Sequence, residues 1–227
     1  MAINIKKLQL LRKLLLLSLN LSSFMNNNYM KTVFPAVCLT GILFSLFALL
    51  FTALGIMSAN ANLLSGYNVA GLPIEGILLC FIAPAASLYL YSFLNNRFPD
   101  NRFEKFSLSI SNLLLGVCIA LLFFGYLKWY TATTFFVLLT LLLYVEYKNK
   151  LRFMYRFYRT YVALLIPFYL VCMIIKNQSI LIFNEKASLK LYVVHLPIEA
   201  YFYFMGMLLM TVYLFEFFKS KMAKVNG

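Results

Sequence analysis

The chain has 227 residues, 63% of them hydrophobic and only 12% charged, with a mean hydropathy of +0.84. Soluble domains carry about 25% charged residues, so this composition excludes a water-soluble globule and indicates an integral membrane protein. Twenty Lys and Arg against seven Asp and Glu leave a net charge of +13. In a soluble protein that excess would suggest nucleic acid as a partner. Here the basic residues flank apolar runs, as the positive-inside rule leads one to expect, and no free basic domain remains to bind nucleic acid.

In chain order, residues 1–30 come first, with an apolar stretch at 8–24 that Arg12 and Lys13 interrupt. It reads as a first span, an uncleaved signal anchor or an amphipathic helix lying in the interface. Six further apolar runs follow, at 33–57, 72–94, 106–127, 130–145, 161–175 and 196–218. A helix needs roughly 20 apolar residues to cross a bilayer, so the fourth and fifth are near the short limit. The expected fold is an all-α, polytopic transmembrane helix bundle of six or seven spans in a single domain, 1–227, built from a duplicated three-span unit with halves at about 31–105 and 106–227.

Charge sets the orientation. If 8–24 does not cross, Lys128, Lys176, Lys186 and Lys190 lie on one side and the other sixteen of the twenty Lys and Arg on the opposite side. If it does cross, Lys6, Lys7, Arg12 and Lys13 change sides and the split is 12 to 8. In both cases the C-terminus is cytoplasmic in a multi-pass protein of the cell membrane. Cys38, Cys80, Cys118 and Cys172 stand alone in apolar runs without metal-ligand or disulfide spacing, so no metal site is expected and they read as small buried hydrophobes.

One motif stands out. Leu72-Pro73-Ile74-Glu75 recurs as Leu196-Pro197-Ile198-Glu199, each copy opening an apolar run otherwise poor in carboxylates. An ordinary helix start also places Pro and Glu in the first turn, but leucine before the proline is a poor N-cap and forms no capping box. Two copies at matching positions favour function, because a carboxylate in hydrocarbon is costly unless neutral or paired. The two runs are an even number of crossings apart and therefore run in the same direction. Glu75 and Glu199 are expected at one depth on the non-cytoplasmic side, close enough to share a cavity and couple their titrations.

Softer features accompany the motif. His195 abuts the second copy and reads as a solvated boundary residue or a proton relay to Glu199. Tyr126, Trp129 and Tyr130 fit an interfacial aromatic belt, Met205, Met207 and Met210 read as packing, and Glu146 and Glu216 as interfacial. The 16 Tyr and 23 Phe are suited to line a polyene cavity and to stabilise a cation through their ring faces.

An ordered set of segments resembles a known family: Phe51-Thr52-Ala53-Leu54-Gly55, Gly71 to Glu75, Tyr130-Thr131-Ala132-Thr133-Thr134-Phe135, Arg156-Phe157-Tyr158, Leu165-Ile166-Pro167-Phe168, Phe183-Asn184, Leu196 to Glu199 and Leu214-Phe215-Glu216. The chain resembles the integral-membrane lycopene cyclases, whose duplicated domain carries a Pro-(Leu/Ile/Val)-Glu-(Glu/Asp) motif in each half. It departs from them at three acids: Gly76 follows Glu75, Ala200 follows Glu199, and Phe47-Ala48 stands where the family has Trp-Asp.

The resemblance implies a role in carotenoid biosynthesis, as an isomerase closing the end rings of a linear carotenoid such as lycopene by acid-initiated carbocation cyclisation, with no net redox. A carboxylic acid in low dielectric holds its proton, and a second carboxylate can take one back. Glu75 and Glu199 are the expected catalytic pair, with Pro73, Pro197 and Tyr158 expected at the substrate. No cofactor is expected, since no glycine-rich dinucleotide fingerprint is present. The expected partners are the lipid bilayer and a hydrophobic polyene, and both homo- and hetero-oligomers are compatible with the chain. Two alternatives remain: a catalytically degenerate relative acting as a carotenoid-binding or partner subunit, favoured by the three missing acids, and a small-molecule transporter, favoured by the paired glutamates.

Overall fold

A chain immersed in lipid must satisfy its backbone hydrogen bonds internally, so the apolar runs become helices. The computed structural model of the protein describes residues 27–59, 67–99, 104–148, 151–177, 181–193 and 196–225. Its long helices are α1 (Asn27–Ala53), α2 (Ile74–Arg97), α3 (Ser107–Gly125), α4 (Trp129–Leu143), α5 (Met154–Asn177) and α6 (Ile198–Val225), with α4 continuing into a π-helical turn over Tyr144–Lys148. Among the described residues, six helices are long and apolar enough to cross a membrane. The stretch 8–24 and His195 lie outside the described residues.

Two details differ from the sequence expectation. Helix α5 begins at Met154, before the apolar run, and so takes in Arg156 and Arg159. The Arg159 guanidinium donates to the Phe98 carbonyl and to Asn95 Oδ1, each at 2.8 Å. A long basic side chain can thus sit in a span while its head stays at the helix ends near the interface. Tyr130 is no belt residue: it is buried against Phe51, whereas Tyr126 and Trp129 are exposed as expected.

Each motif copy forms a small hairpin ahead of its helix. In the first, β2 (Asn68–Val69) pairs with β3 (Leu72–Pro73); in the second, β5 (Tyr192–Val193) pairs with β6 (Leu196–Pro197), in the same register. The first turn holds Ala70 and Gly71 at φ 49° and 84°, the two positive values that a type I′ hairpin turn demands. Equivalent backbone bonds, Ile74 N–H to Tyr67 C=O at 3.1 Å and Ile198 N–H to Leu191 C=O at 2.9 Å, tie each helix start to its hairpin. The hairpin therefore does what the missing capping side chain would do, with Pro73 at the cap.

Glu75 and Glu199 are 124 residues apart, and this spacing relates much else in the two halves. A third antiparallel ladder joins β1 (Met57–Ala59) to β4 (Leu181–Phe183), centred on Ser58 opposite Ile182. At the other end of the bundle the Tyr91 and Phe215 rings meet edge-on at 6.2 Å. Both pairs are positions 124 apart that touch each other, which happens only on a two-fold axis. The repeat is thus organised about a pseudo-two-fold running along the bundle, as in parallel-repeat membrane folds.

Helix α6 is the centre of the bundle and packs on α1, α2, α4 and α5. The core between them is aromatic: Phe44 and Tyr203 at 5.1 Å, Phe135 and Phe202 at 4.9 Å, and Phe168 stacked on Phe204 at 4.1 Å. Met205 and Met207 are buried in it, in keeping with a packing role.

Candidate active site

Glu199 sits in the first turn of α6 with 0% of its surface exposed. Two donors converge on one of its oxygens: Thr131 Oγ1 from α4 at 2.7 Å and the Leu189 backbone N–H at 2.8 Å, both to Oε1. The other oxygen, Oε2, is buried and makes no hydrogen bond. A buried polar atom without a partner calls for a reason. The two donors leave Oε1 anchored and Oε2 the one carboxyl oxygen not engaged by the protein.

The face of α6 that bears Glu199 continues through Phe202, Tyr203 and Gly206, at the i+3, i+4 and i+7 positions. These residues form one wall of a narrow cleft, completed by Phe44, Phe47 and Phe51 of α1 and by Thr133, Thr134 and Val137 of α4. It contains about 240 Å³ of empty space counting its open mouth. The Phe51 and Tyr130 rings, 5.3 Å apart, bridge α1 and α4 at the Glu199 end. Elsewhere both helices pack on α6 more than on each other, so the cleft opens sideways between them. Inside the cleft wall, Thr134 Oγ1 is also buried without a hydrogen-bond partner.

Glu75 occupies the equivalent place at the start of α2, half-buried, with its Oε2 atom shielded from solvent. It does not join Glu199. At about 100° per residue, the α2 residues that meet α1 and α6 (Phe81, Leu88, Tyr91 and Ser92) lie between about 160° and 260° around the helix from Glu75. On α6, Phe215 and Glu216, which meet α2, lie in the same sector relative to Glu199. The pseudo-two-fold therefore turns both carboxylates away from the α2–α6 contact, so the two do not meet across it in the single shared cavity expected from the sequence.

The remaining expected residues are dispersed. Pro73 and Pro197 are buried in their hairpins opposite Asn68 and Tyr192, where they set the helix starts. Tyr158 lies at the other end of the bundle, sharing a hydrogen bond of 2.8 Å with Ser111. Ser111 donates in turn to Glu146 Oε2 at 2.7 Å. Glu216 likewise accepts from the buried Tyr91 hydroxyl at 2.7 Å, so both interfacial glutamates are tied to core side chains. Thr131 and Leu189, the partners of Glu199, carry no chemistry of their own and were not legible as site residues.

The model of the Lycopene cyclase family matches residues 8–94 and 127–218. The chain belongs to this family. Its two matched stretches end 124 residues apart, the spacing of the motif copies, and leave 95–126, which contains α3, unmatched. Membership connects the chain to carotenoid biosynthesis. No curated protein matches the chain, and no solved structure does.

Proposed function

We propose that the chain is a lycopene cyclase-type isomerase and that Glu199 supplies the proton that starts ring closure. The observation that carries this reading is the fully buried Glu199 carboxyl, with both donors on Oε1 and an unbonded Oε2, on the helix face that also gives Phe202, Tyr203 and Gly206 to an aromatic cleft. Protonation of the terminal alkene of a linear polyene draws on that π bond and leaves a carbocation. A nearby double bond then closes the ring by forming a carbon–carbon bond, and loss of an adjacent proton restores a double bond. Atoms and electrons balance without an oxidant. The rings of Phe44, Phe47, Phe51, Phe202 and Tyr203 exclude water and present negative faces to the cation.

A second reading keeps the bundle and the polyene but not the reaction. Gly76 and Ala200 stand where the family carries acids, and Ala48 falls on the same stripe of α1 as Phe44 and Phe51. At Gly76 a Cβ would meet Leu72 at an ordinary 3.4 Å. Expression in a lycopene-accumulating host separates the two. Cyclised pigment supports the isomerase. An inert chain that folds and inserts, and gains activity with Ala48→Asp, Gly76→Glu and Ala200→Asp together, supports the degenerate relative.

The orientation follows from charge. With the basic residues of 148–159 on the cytoplasmic side, a cysteine at position 152 in a cysteine-free background is expected to resist an impermeant thiol reagent in intact cells and to react after permeabilisation. Labelling in intact cells would invert the topology and place Glu199 nearer the cytoplasm.

A further inference from the structure

Where α2 ends and α5 begins, two guanidiniums flank one ring. Arg97 closes the last turn of α2, and Phe98 follows it as the C-cap, its N–H bonded to the Leu94 carbonyl at 2.8 Å. The guanidinium carbon of Arg97 lies 5.7 Å from the centre of the Phe98 ring, and that of Arg159, from α5, lies 6.0 Å from the same centre. Arg159 makes its two hydrogen bonds to neutral acceptors, the Phe98 carbonyl and Asn95 Oδ1, so its charge is held in place without being cancelled. Among the described residues, no carboxylate forms an ion pair with either guanidinium. Glu104, in a short 3₁₀ turn that packs on α5, is the described carboxylate nearest to Arg97 in the sequence and pairs with neither. Arg156 is set apart from the two, lying beside Tyr91, whose hydroxyl donates to Glu216.

The apolar surface beside these cations has a direction. Val162, Ile166 and Leu170 follow Arg159 at i+3, i+7 and i+11, within about 60° of it around α5, and they are 63%, 69% and 57% exposed. They form an open apolar strip that runs from the guanidinium into the span, with the exposed Phe98 ring at its head. A soluble phosphate makes no use of the strip, and an uncharged lipid makes none of the guanidiniums. An amphiphile with an anionic head and acyl chains matches both, because the guanidinium fork fits phosphate oxygens and keeps its charge at any physiological pH.

We infer that this corner seats an anionic phospholipid, with its phosphate at the Arg97 and Arg159 guanidiniums and an acyl chain along Val162, Ile166 and Leu170. The seat is independent of the isomerase reading, since no atom of the Glu199 site takes part. An occupant bridges the end of α2 and the start of α5, and so fixes the depth of both helices in the bilayer.

The test uses the full chain in nanodiscs of phosphatidylcholine with a rising fraction of phosphatidylglycerol in both leaflets, which makes it independent of orientation. The readouts are the melting temperature, which a ligand of the native state raises, and the phosphatidylglycerol retained per protein after exchange into phosphatidylcholine. The native chain is expected to melt higher as phosphatidylglycerol rises and to retain it on exchange. One basic residue near an anionic surface is worth about fivefold in affinity, so Arg97→Gln should need about fivefold more phosphatidylglycerol for the same shift, and the double variant with Arg159→Gln about 25-fold more. Arg159→Gln also removes the two bonds to the end of α2, and its melting temperature in pure phosphatidylcholine measures that part. Arg97→Gln leaves both bonds in place and carries the lipid test by itself. Lys221→Gln removes the same charge from the end of α6, where Lys221 sits over Phe217 at 4.7 Å, and should shift the dependence less than about twofold, as expected of a screened surface charge. The inference is overturned if the native chain shows no preference for phosphatidylglycerol over phosphatidylcholine, or if Lys221→Gln is as damaging as Arg97→Gln, which would make the attraction a diffuse one of the whole basic surface. It is equally overturned if inorganic phosphate in solution stabilises the chain in pure phosphatidylcholine as much as phosphatidylglycerol does.

Discussion

Replacing Glu199 by glutamine is expected to lower ring closure by about 10²- to 10⁴-fold while leaving folding and insertion unchanged. Glutamine has the same shape, and its carbonyl oxygen can accept the two bonds, from Thr131 Oγ1 and Leu189 N–H, that now reach Glu199 Oε1. Its amide nitrogen takes the place of Oε2 but is no Brønsted acid. The expected result in a lycopene-accumulating host is uncyclised pigment at normal protein abundance. Glu199→Ala is a different experiment. It strands a buried hydroxyl and a backbone N–H, at a cost of about 1–3 kcal/mol for each unsatisfied group, and should lower abundance as well as activity. Wild-type conversion by Glu199→Gln would remove Glu199 as the proton donor.

The six described spans and the repeat of the motif at two helix starts were legible in the sequence, because hydropathy and a repeated tetrapeptide are local signals. Convergence of Glu75 with Glu199 was not. Parallel direction and equal depth fix only two coordinates of a side chain, and the third, its angle around the helix, depends on which face each helix turns to the pseudo-two-fold. The separation of Tyr158 from Glu199 was hidden for a related reason: its segment matches the family, but α5 runs opposite to α6, so a residue near the start of α5 lies at the other end of the bundle. Tyr130 and Thr131 are adjacent and both buried; Thr131 donates to Glu199, while the Tyr130 ring packs on Phe51. Neighbours at a helix start point about 100° apart, and composition cannot say which one faces inward.

Gly125 gives the other large effect expected, and it acts on the site from outside it. This glycine ends α3, just before the turn into α4. A Cβ there would lie 2.4 Å from Thr131 Cγ2, 3.0 Å from Thr131 Cβ and 3.2 Å from Leu189 Cδ2. Those are the two residues whose donors hold Glu199 Oε1. Thr131 has no surface exposed and a β-branched side chain, so it has few alternative rotamers into which to retreat. Forcing an extra carbon into such packing typically costs about 1–3 kcal/mol, and here the strain must be relieved by moving Thr131 or the 188–189 backbone. Gly125→Ala is therefore expected to lower thermal stability and also to reduce ring closure more than its loss of folded protein explains, because the carboxyl loses the bonds that keep Oε2 oriented. Gly116→Ala, in the same helix with nothing within 4 Å of its added carbon, is the matched control and should be silent in both respects. If Gly125→Ala lowers the melting temperature but leaves conversion per folded molecule at the native value, the Thr131 and Leu189 bonds hold the fold without positioning the acid.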